Sequence, residues 1–309
     1  MKTILIHHEV KGSLEFRSKL SNSLPEYLVT TSLDETNPSD VEVLIFWLNV
    51  PEYLSRLNNC KLILSCGSGI DHFIHSLDIP KNVCLVRLVD PYLRKRVSNY
   101  VLARILEKYY PSFNGIDLEL NKERISNLIH EKPIRVGIMG LGLIGDSISK
   151  LLIDYGFMVS SWVNKKKIRS ISNVYVGKSE LYEFAKKSDI LVCQLPLTEE
   201  TKDILDINLF NQMPKGSYLI NTGRGEHLVE YDLITAIESG NLSGACLDVL
   251  KDYESNENNP LFNNPKIKIT PHIAGHIGPN TQAPYASEVI YNFFKGKFIE
   301  GVVDNHLKY

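Results

Sequence analysis

The sequence predicts an α/β protein of two domains, each a doubly wound parallel sheet covered by helices. Three observations carry this expectation. Short β-branched or apolar runs alternate with longer amphipathic stretches from end to end, the pattern of strands returned by crossover helices. At 309 residues the chain is too long for one ordinary core and suits two, each burying its own apolar interior. After a polar, weakly periodic stretch at 111–133, a second α/β pattern opens at Ile134-Arg135-Val136-Gly137-Ile138-Met139.

In the first third the expected strands are 3–8, 43–47, 61–65 and 83–87, with a helix-like segment at 51–57 and a glycine-bearing turn at Gly67-Ser68-Gly69. Asp90-Pro91 offers a capping aspartate followed by proline at the first helical position, so a long helix runs from there to Tyr110 and joins the domains. In the second domain strands are expected at 158–162, 189–193, 217–221, 244–247 and 266–269, with helices at 143–155, 179–187 and 230–240. A last helix at 281–295 carries the chain back, giving domains of 1–100 with 283–309 and of 101–282.

Bulk composition excludes several classes. With 43% hydrophobic residues, 23% charged and a net charge of −2, no global field draws nucleic acid or an anionic membrane. The first apolar run, Ile4-Leu5-Ile6, is far short of a secretory core or of the roughly 20 residues that span a bilayer. Cys60, Cys66, Cys84, Cys193 and Cys246 are odd in number, lack CxxC spacing and mostly sit in apolar runs, as reduced thiols of a cytoplasmic protein do. The histidines form no recognised ligand set, and His272 with His276 reads better as one catalytic residue plus one loop histidine than as a zinc pair, so no metal is expected. Tyr285, Tyr291, Phe293 and Phe294 at helical spacing suit a core or a subunit interface.

Gly140-Leu141-Gly142-Leu143-Ile144-Gly145 follows a strand and opens a helix, the context in which GxGxxG binds a dinucleotide. Gly140 permits the turn, Gly142 lets backbone approach a pyrophosphate, Gly145 lets helix pack on strand, and amides of Leu143 and Ile144 face the phosphates. Glycines serving only a tight turn are the alternative. An acidic residue about 20 positions on would hold the ribose hydroxyls of NAD. Instead the strand ends Trp162-Val163-Asn164-Lys165-Lys166-Lys167, where ammonium groups suit the 2′-phosphate of NADP(H). NADP(H) is therefore the expected cofactor, with NAD(H) possible and a solvated lysine run as the alternative.

Two later strands also end in groups with chemistry. Asn221-Thr222-Gly223-Arg224-Gly225 presents an arginine whose planar fork can take a carboxylate, and Thr270-Pro271-His272-Ile273-Ala274-Gly275 presents a histidine able to move a proton. Either residue alone is more often structural. Together with the glycine loop, Leu195-Pro196-Leu197-Thr198 and Gly244-Ala245-Cys246-Leu247-Asp248-Val249, these motifs resemble the D-isomer-specific 2-hydroxyacid dehydrogenase family over almost the whole chain. Within it, Ile45-Phe46-Trp47, Val86-Arg87-Leu88-Val89-Asp90 and the Trp162 strand end are similar to the bacterial glyoxylate/hydroxypyruvate reductase branch, which favours NADPH.

The resemblance implies two Rossmann-like domains with an active-site cleft between them, reduction of a small 2-oxo acid, and a homodimer. It assigns Arg224 to the substrate carboxylate and carbonyl, His272 to proton donation, and Trp47 and the amides of Gly67, Ser68 and Gly69 to substrate binding. Leu195, Pro196, Thr222, Gly223, Asp248 and Gly275, together with Arg224 and His272, are assigned to the cofactor side, joining Asn164, Lys165 and Lys166. The family has a glutamate five residues after its Leu-Asp-Val aspartate, orienting the histidine; here that position is Tyr253. Glu254 is the expected replacement, ahead of Asp252, because its longer side chain forgives a misplaced backbone. Asn99 likewise stands where the family more often has an acid. The departures leave room for a catalytically impaired NADP(H)-binding or redox-sensing protein, and D-lactate or phosphoglycerate oxidation are further alternatives within the family.

Overall fold

The computed structural model describes residues 2–7, 12–47, 50–74, 79–80, 82–109, 133–165, 173–252 and 259–303. The chain divides into two units, Met1–Leu93 with Ile277–Tyr309, and Arg94–His276.

In the first unit β1 (Thr3–Ile6), β2 (Leu28–Thr30), β3 (Val41–Phe46), β4 (Leu62–Ser65) and β5 (Cys84–Arg87) form one sheet in the order β2-β1-β3-β4-β5, every pair parallel. Parallel strands return through crossovers that cover both faces, so both faces must be apolar. Accordingly Ile4 and Ile6 pack with Phe16 and Leu20 of α1 (Ser13–Ser23) and with Ala286 and Ile290 of the last helix. Leu5, Leu44 and Ile63 point the other way, onto Phe73 and Ile74 of α2 (Asp71–Ile74).

The long helix α3 (Pro91–Tyr109) begins as expected, with Asp90 Oδ1 accepting from the Leu93 amide at 2.9 Å. The unit boundary falls at Leu93 rather than near residue 100. The reason is that α3 bonds to the second unit from its second turn on: Ser98 Oγ lies 3.0 Å from Ser147 Oγ, and Tyr100 Oη lies 2.6 Å from Thr270 Oγ1.

The second unit holds β6 (Arg135–Met139), α4 (Leu143–Asp154), β7 (Met158–Val163), β8 (Val174–Val176), α5 (Lys178–Lys186), β9 (Ile190–Cys193), α6 (Ile207–Phe210), β10 (Ser217–Asn221), α7 (Glu230–Glu238), β11 (Leu242–Leu247), α8 (Pro260–Asn263) and β12 (Ile267–Ile269). Its parallel sheet runs β12-β11-β10-β9-β6-β7-β8. The order reverses between β6 and β9, the switch point at which such sheets open a crevice beyond their carboxyl ends. The last helix, α9 (Pro279–Phe294), rejoins the first unit, which resumes at Ile277 rather than at 283.

The expected strands are present, with two additions at the sheet edges: β2 and β8 have three residues each, too few for a period to be read. The helix-like segment at 51–57 is a 3-10 turn, Glu52–Arg56, with no buried residue to support a longer helix. All five cysteines are free, and burial pushes the Cys60 thiol up to about 11 and those of Cys66 and Cys193 up to about 12. They are poor nucleophiles.

Glu42 is the charged exception within β3. Burial raises its pKa, but hydrogen bonds from Lys61 and Lys2 outweigh that and hold the carboxyl below the usual glutamate range. Its ammonium partners lie at 2.6 Å and 3.3 Å. A depressed carboxyl contributes stability above its unfolded pKa, about 4.3, and loses it as pH falls through the folded value. Denaturant midpoints measured from pH 6 to about 3 should therefore fall less steeply in Glu42→Gln than in the parent chain.

Candidate active site

The carboxyl ends of β6, β7, β9, β10, β11 and β12 carry most of the residues expected from the sequence. Beyond β6, Gly140 has φ +100°, and a Cβ there would lie 2.6 Å from the Gln194 carbonyl oxygen. A Cβ on Gly145 would lie 2.0 Å from the Gly140 oxygen, so helix and strand approach too closely for a side chain. Gly142 differs: nothing in the protein lies within 4 Å of an added Cβ. The chain's own packing thus explains two glycines, and the third leaves open space where backbone can meet an external group. Gly142 also caps α4 without any side-chain hydrogen bond, so the first amides of that helix, at Leu143 and Ile144, remain directed outward. These features fit a dinucleotide pyrophosphate.

At the end of β7, Asn164 donates its amide to the Glu200 carboxylate, which comes from the turn after β9, and Lys165 is exposed. Lys166 and Lys167 lie outside the described residues. Leu195 is buried, and the Pro196 carbonyl accepts from Thr201 Oγ1 at 2.7 Å and from His227 Nε2 at 3.3 Å.

The arginine turn is fixed from two sides. Asn221 uses both ends of its amide: Oδ1 accepts from the Gly223 N–H at 3.1 Å and Nδ2 donates to the Arg224 carbonyl at 3.0 Å. Fully buried His227 accepts the Arg224 N–H on Nδ1 at 3.0 Å, which puts its proton on Nε2, facing Pro196. A Cβ at Gly223 would lie 2.9 Å from His227 Nδ1. Arg224 Nη1 donates to the Gly223 carbonyl at 2.7 Å, and Thr222 Oγ1 donates to Gln194 Oε1 at 2.7 Å. His227 is a site residue that the sequence reading missed. Its signal was weak, a histidine three residues past the arginine in a segment with no period.

The histidine turn depends on Asp248. This carboxylate is 1% exposed, and Oδ1 accepts from Thr270 Oγ1 at 2.6 Å and from the Ile273 N–H at 2.9 Å, while Oδ2 accepts from the Ala274 N–H at 2.9 Å. The Asp248 carbonyl accepts from the His272 N–H at 3.0 Å. His272 itself has φ +53°, a left-handed conformation that a residue with a Cβ adopts at a cost of roughly 1–3 kcal/mol. The resemblance placed Asp248 on the cofactor side; the geometry gives its carboxylate to the turn that carries His272. Gly275 closes that turn, half-buried, and His272 is exposed. Tyr253 and Glu254 lie outside the described residues.

A further hydroxyl backs this arrangement. Thr270 Oγ1 gives its one proton to Asp248, so the Tyr100 hydroxyl, 2.6 Å away, donates to Thr270. Burial, and then the neighbouring Cys246 thiol at 3.2 Å, push the Tyr100 pKa up, which keeps it a donor.

The remaining expected residues lie in the first unit. Gly67, Ser68 and Gly69 follow β4, and a Cβ on Gly67 would come within 2.5 Å of Trp47 Nε1. His72 Nε2 donates to the Trp47 carbonyl at 2.8 Å, and Gln282 of α9 donates to the Cys66 carbonyl at 3.2 Å. The loops after β3 and β4 are thereby gathered at one sheet edge. Among the described residues no group of three His, Cys, Asp or Glu could hold a metal, and no helix is long and apolar enough to cross a membrane.

A glycine loop at the switch point of a doubly wound sheet, with arginine and histidine turns on the same edge, defines a dinucleotide-dependent oxidoreductase. Residues 108–274 match the family model for the D-isomer specific 2-hydroxyacid dehydrogenase, NAD binding domain. The chain is 33% identical over 315 residues to a glyoxylate/hydroxypyruvate reductase A of Photorhabdus laumondii, covering 99% of each. A D-isomer specific 2-hydroxyacid dehydrogenase of Xanthobacter autotrophicus, solved with NADPH and MES, superposes with a TM-score of 0.86 at 28% identity, over 100% of this chain and 99% of that one. An NADPH-dependent glyoxylate/hydroxypyruvate reductase of Sinorhizobium meliloti, solved with NADP and sulfate, gives 0.81 at 26% identity, with 100% of both chains covered. The chain belongs to the D-isomer specific 2-hydroxyacid dehydrogenase family.

Replacing Thr270 with Val leaves the buried Asp248 carboxylate short of a donor and should cost about 1–3 kcal/mol in urea unfolding. Tyr100→Phe should cost less in the Thr270→Val background than alone, because the two act through one hydrogen-bonded chain.

Proposed function

We propose that this chain reduces a small 2-oxo acid, glyoxylate or hydroxypyruvate, to the 2-hydroxy acid with NADPH in preference to NADH. The observation that carries the reading is the pair of fixed turns, Arg224 held by Asn221 and His227, and His272 held by Asp248, on the same sheet edge as the glycine loop. The relatives named above act on these acids or were solved with NADP(H).

The cofactor, when bound, supplies the hydride that reaches the carbonyl carbon. Arg224 offers a planar, permanently charged fork to the substrate carboxylate and carbonyl oxygen, polarising the bond that accepts the hydride. A ring nitrogen of protonated His272 delivers its proton to that oxygen as negative charge develops there. Trp47 and the amides of Gly67, Ser68 and Gly69 are assigned to substrate binding by the family resemblance alone. Backbone of 142–144, Asn164, Lys165, Lys166, Leu195, Pro196, Thr222, Gly223 and Gly275 hold the dinucleotide. A carboxylate beside His272 would favour its protonated form, and Glu254 takes that role in place of the family glutamate. A cytoplasmic homodimer accords with this activity.

The position of Tyr253 favours a second reading, an NADP(H)-binding sensor in which turnover is vestigial. One experiment separates the two. Purified protein with NADPH and glyoxylate or hydroxypyruvate should lose absorbance at 340 nm, whereas a sensor would bind NADPH without turnover. His272→Gln should lower kcat by roughly 10²–10⁴-fold, far more than it weakens the Kd for NADPH. If Glu254 supports the protonated imidazole, Glu254→Gln should shift the alkaline loss of reductase activity to lower pH; an unmoved profile would overturn that role.

A further inference from the structure

The site contains a carboxylate that the strand order, not the sequence order, supplies. In doubly wound sheets the acidic residue that holds the ribose hydroxyls of an unphosphorylated dinucleotide stands at the end of the second strand, and it repels a 2′-phosphate. Here that strand is β7, and its end carries Asn164 and Lys165. Glu200 reaches the same place from the turn after β9, where its carboxylate accepts the Asn164 amide.

This turn is fixed. Thr201 is 4% exposed, and its hydroxyl bonds the Thr198 amide at 2.9 Å and the Pro196 carbonyl at 2.7 Å, anchoring Glu200 through its neighbour. A carboxylate only accepts hydrogen bonds, so Asn164 must present its nitrogen to Glu200 and turn its oxygen away. The group's one donor atom is thereby directed to Glu200, while its oxygen can accept from a hydroxyl. Glu200 and Lys165 are both exposed, and among the described residues Glu200 forms no ion pair.

We propose that Glu200 sets the cofactor discrimination of this chain, acting as the ribose-side carboxylate. The proposal rests on the dinucleotide reading above and goes beyond it. The Glu200 carboxylate accepts from a ribose 2′-hydroxyl and opposes a 2′-phosphate, which carries between one and two negative charges near neutral pH. Lys165 acts in the opposite direction. The chain therefore favours NADPH by less than its lysines alone would dictate, and it retains NADH as a usable partner.

The test is the pair of dissociation constants for NADPH and NADH, measured by fluorescence titration on the full chain without substrate, so that no turnover is needed. Glu200→Gln removes the charge and keeps a hydrogen-bonding amide. It should tighten NADPH relative to NADH on the order of tenfold at low salt, and the gain should shrink at 0.5 M salt as screening shortens the reach of the charge. Glu200→Asp, which keeps the charge, should leave the ratio closer to that of the parent. An unchanged ratio in Glu200→Gln, or equal shifts for both dinucleotides, overturns the role of Glu200 while leaving dinucleotide binding intact. Binding of neither dinucleotide by the parent chain overturns the underlying reading, and this proposal with it.

Discussion

One buried carboxylate, Asp248, holds the turn of His272 in place and, through Asn221, reaches that of Arg224. Its two oxygens accept from Thr270, Ile273 and Ala274, and its backbone ties to Asn221 on one side and His272 on the other. A charge out of water is tolerable only when its acceptor sites are filled, and here the donors filling them are those of the turn that presents His272. The left-handed backbone of His272 costs roughly 1–3 kcal/mol, and hydrogen bonds to a charged group, at about 1.5–3 kcal/mol each, are sufficient to offset it.

The same framework reaches the arginine. Asn221, whose carbonyl accepts from the Asp248 amide, grips both sides of the Gly223-Arg224 peptide with its side chain. Buried His227 then joins the Arg224 turn to the loop after β9. Two turns on separate strands are thus positioned by a continuous set of polar contacts, while neither Arg224 nor His272 has to be buried for its backbone to be fixed. Rigidity is supplied from beneath.

The nucleotide end follows a different logic. Gly140 and Gly145 are glycines because the protein's own atoms leave no room for a Cβ, whereas Gly142 faces nothing in the protein at all. Space of that kind is a positive feature of a site whose ligand is met by backbone amides at a helix start. Family membership agrees with this reading, since the matched segment is the family's NAD binding domain.

Much of this was legible in the sequence because it depends on local rules. Alternation of apolar runs marked the longer strands, Asp90-Pro91 marked the start of α3, and the glycine spacing marked the nucleotide loop through backbone geometry that six residues contain by themselves. Arg224 and His272 were legible as strand-end residues within motifs. The sheet-edge strands β2 and β8 were not, because three residues hold no readable period. Nor were the partners: Glu200 meets Asn164 across 36 positions, Tyr100 meets Thr270 across 170, and His227 meets Pro196 across 31. The sequence by itself determined the fold class, the family motifs and the strand ends on which they sit. Only the tertiary structure decided what holds them, because hydrogen bonds between strand-end loops are set by the order of strands in the sheet, which no local pattern encodes.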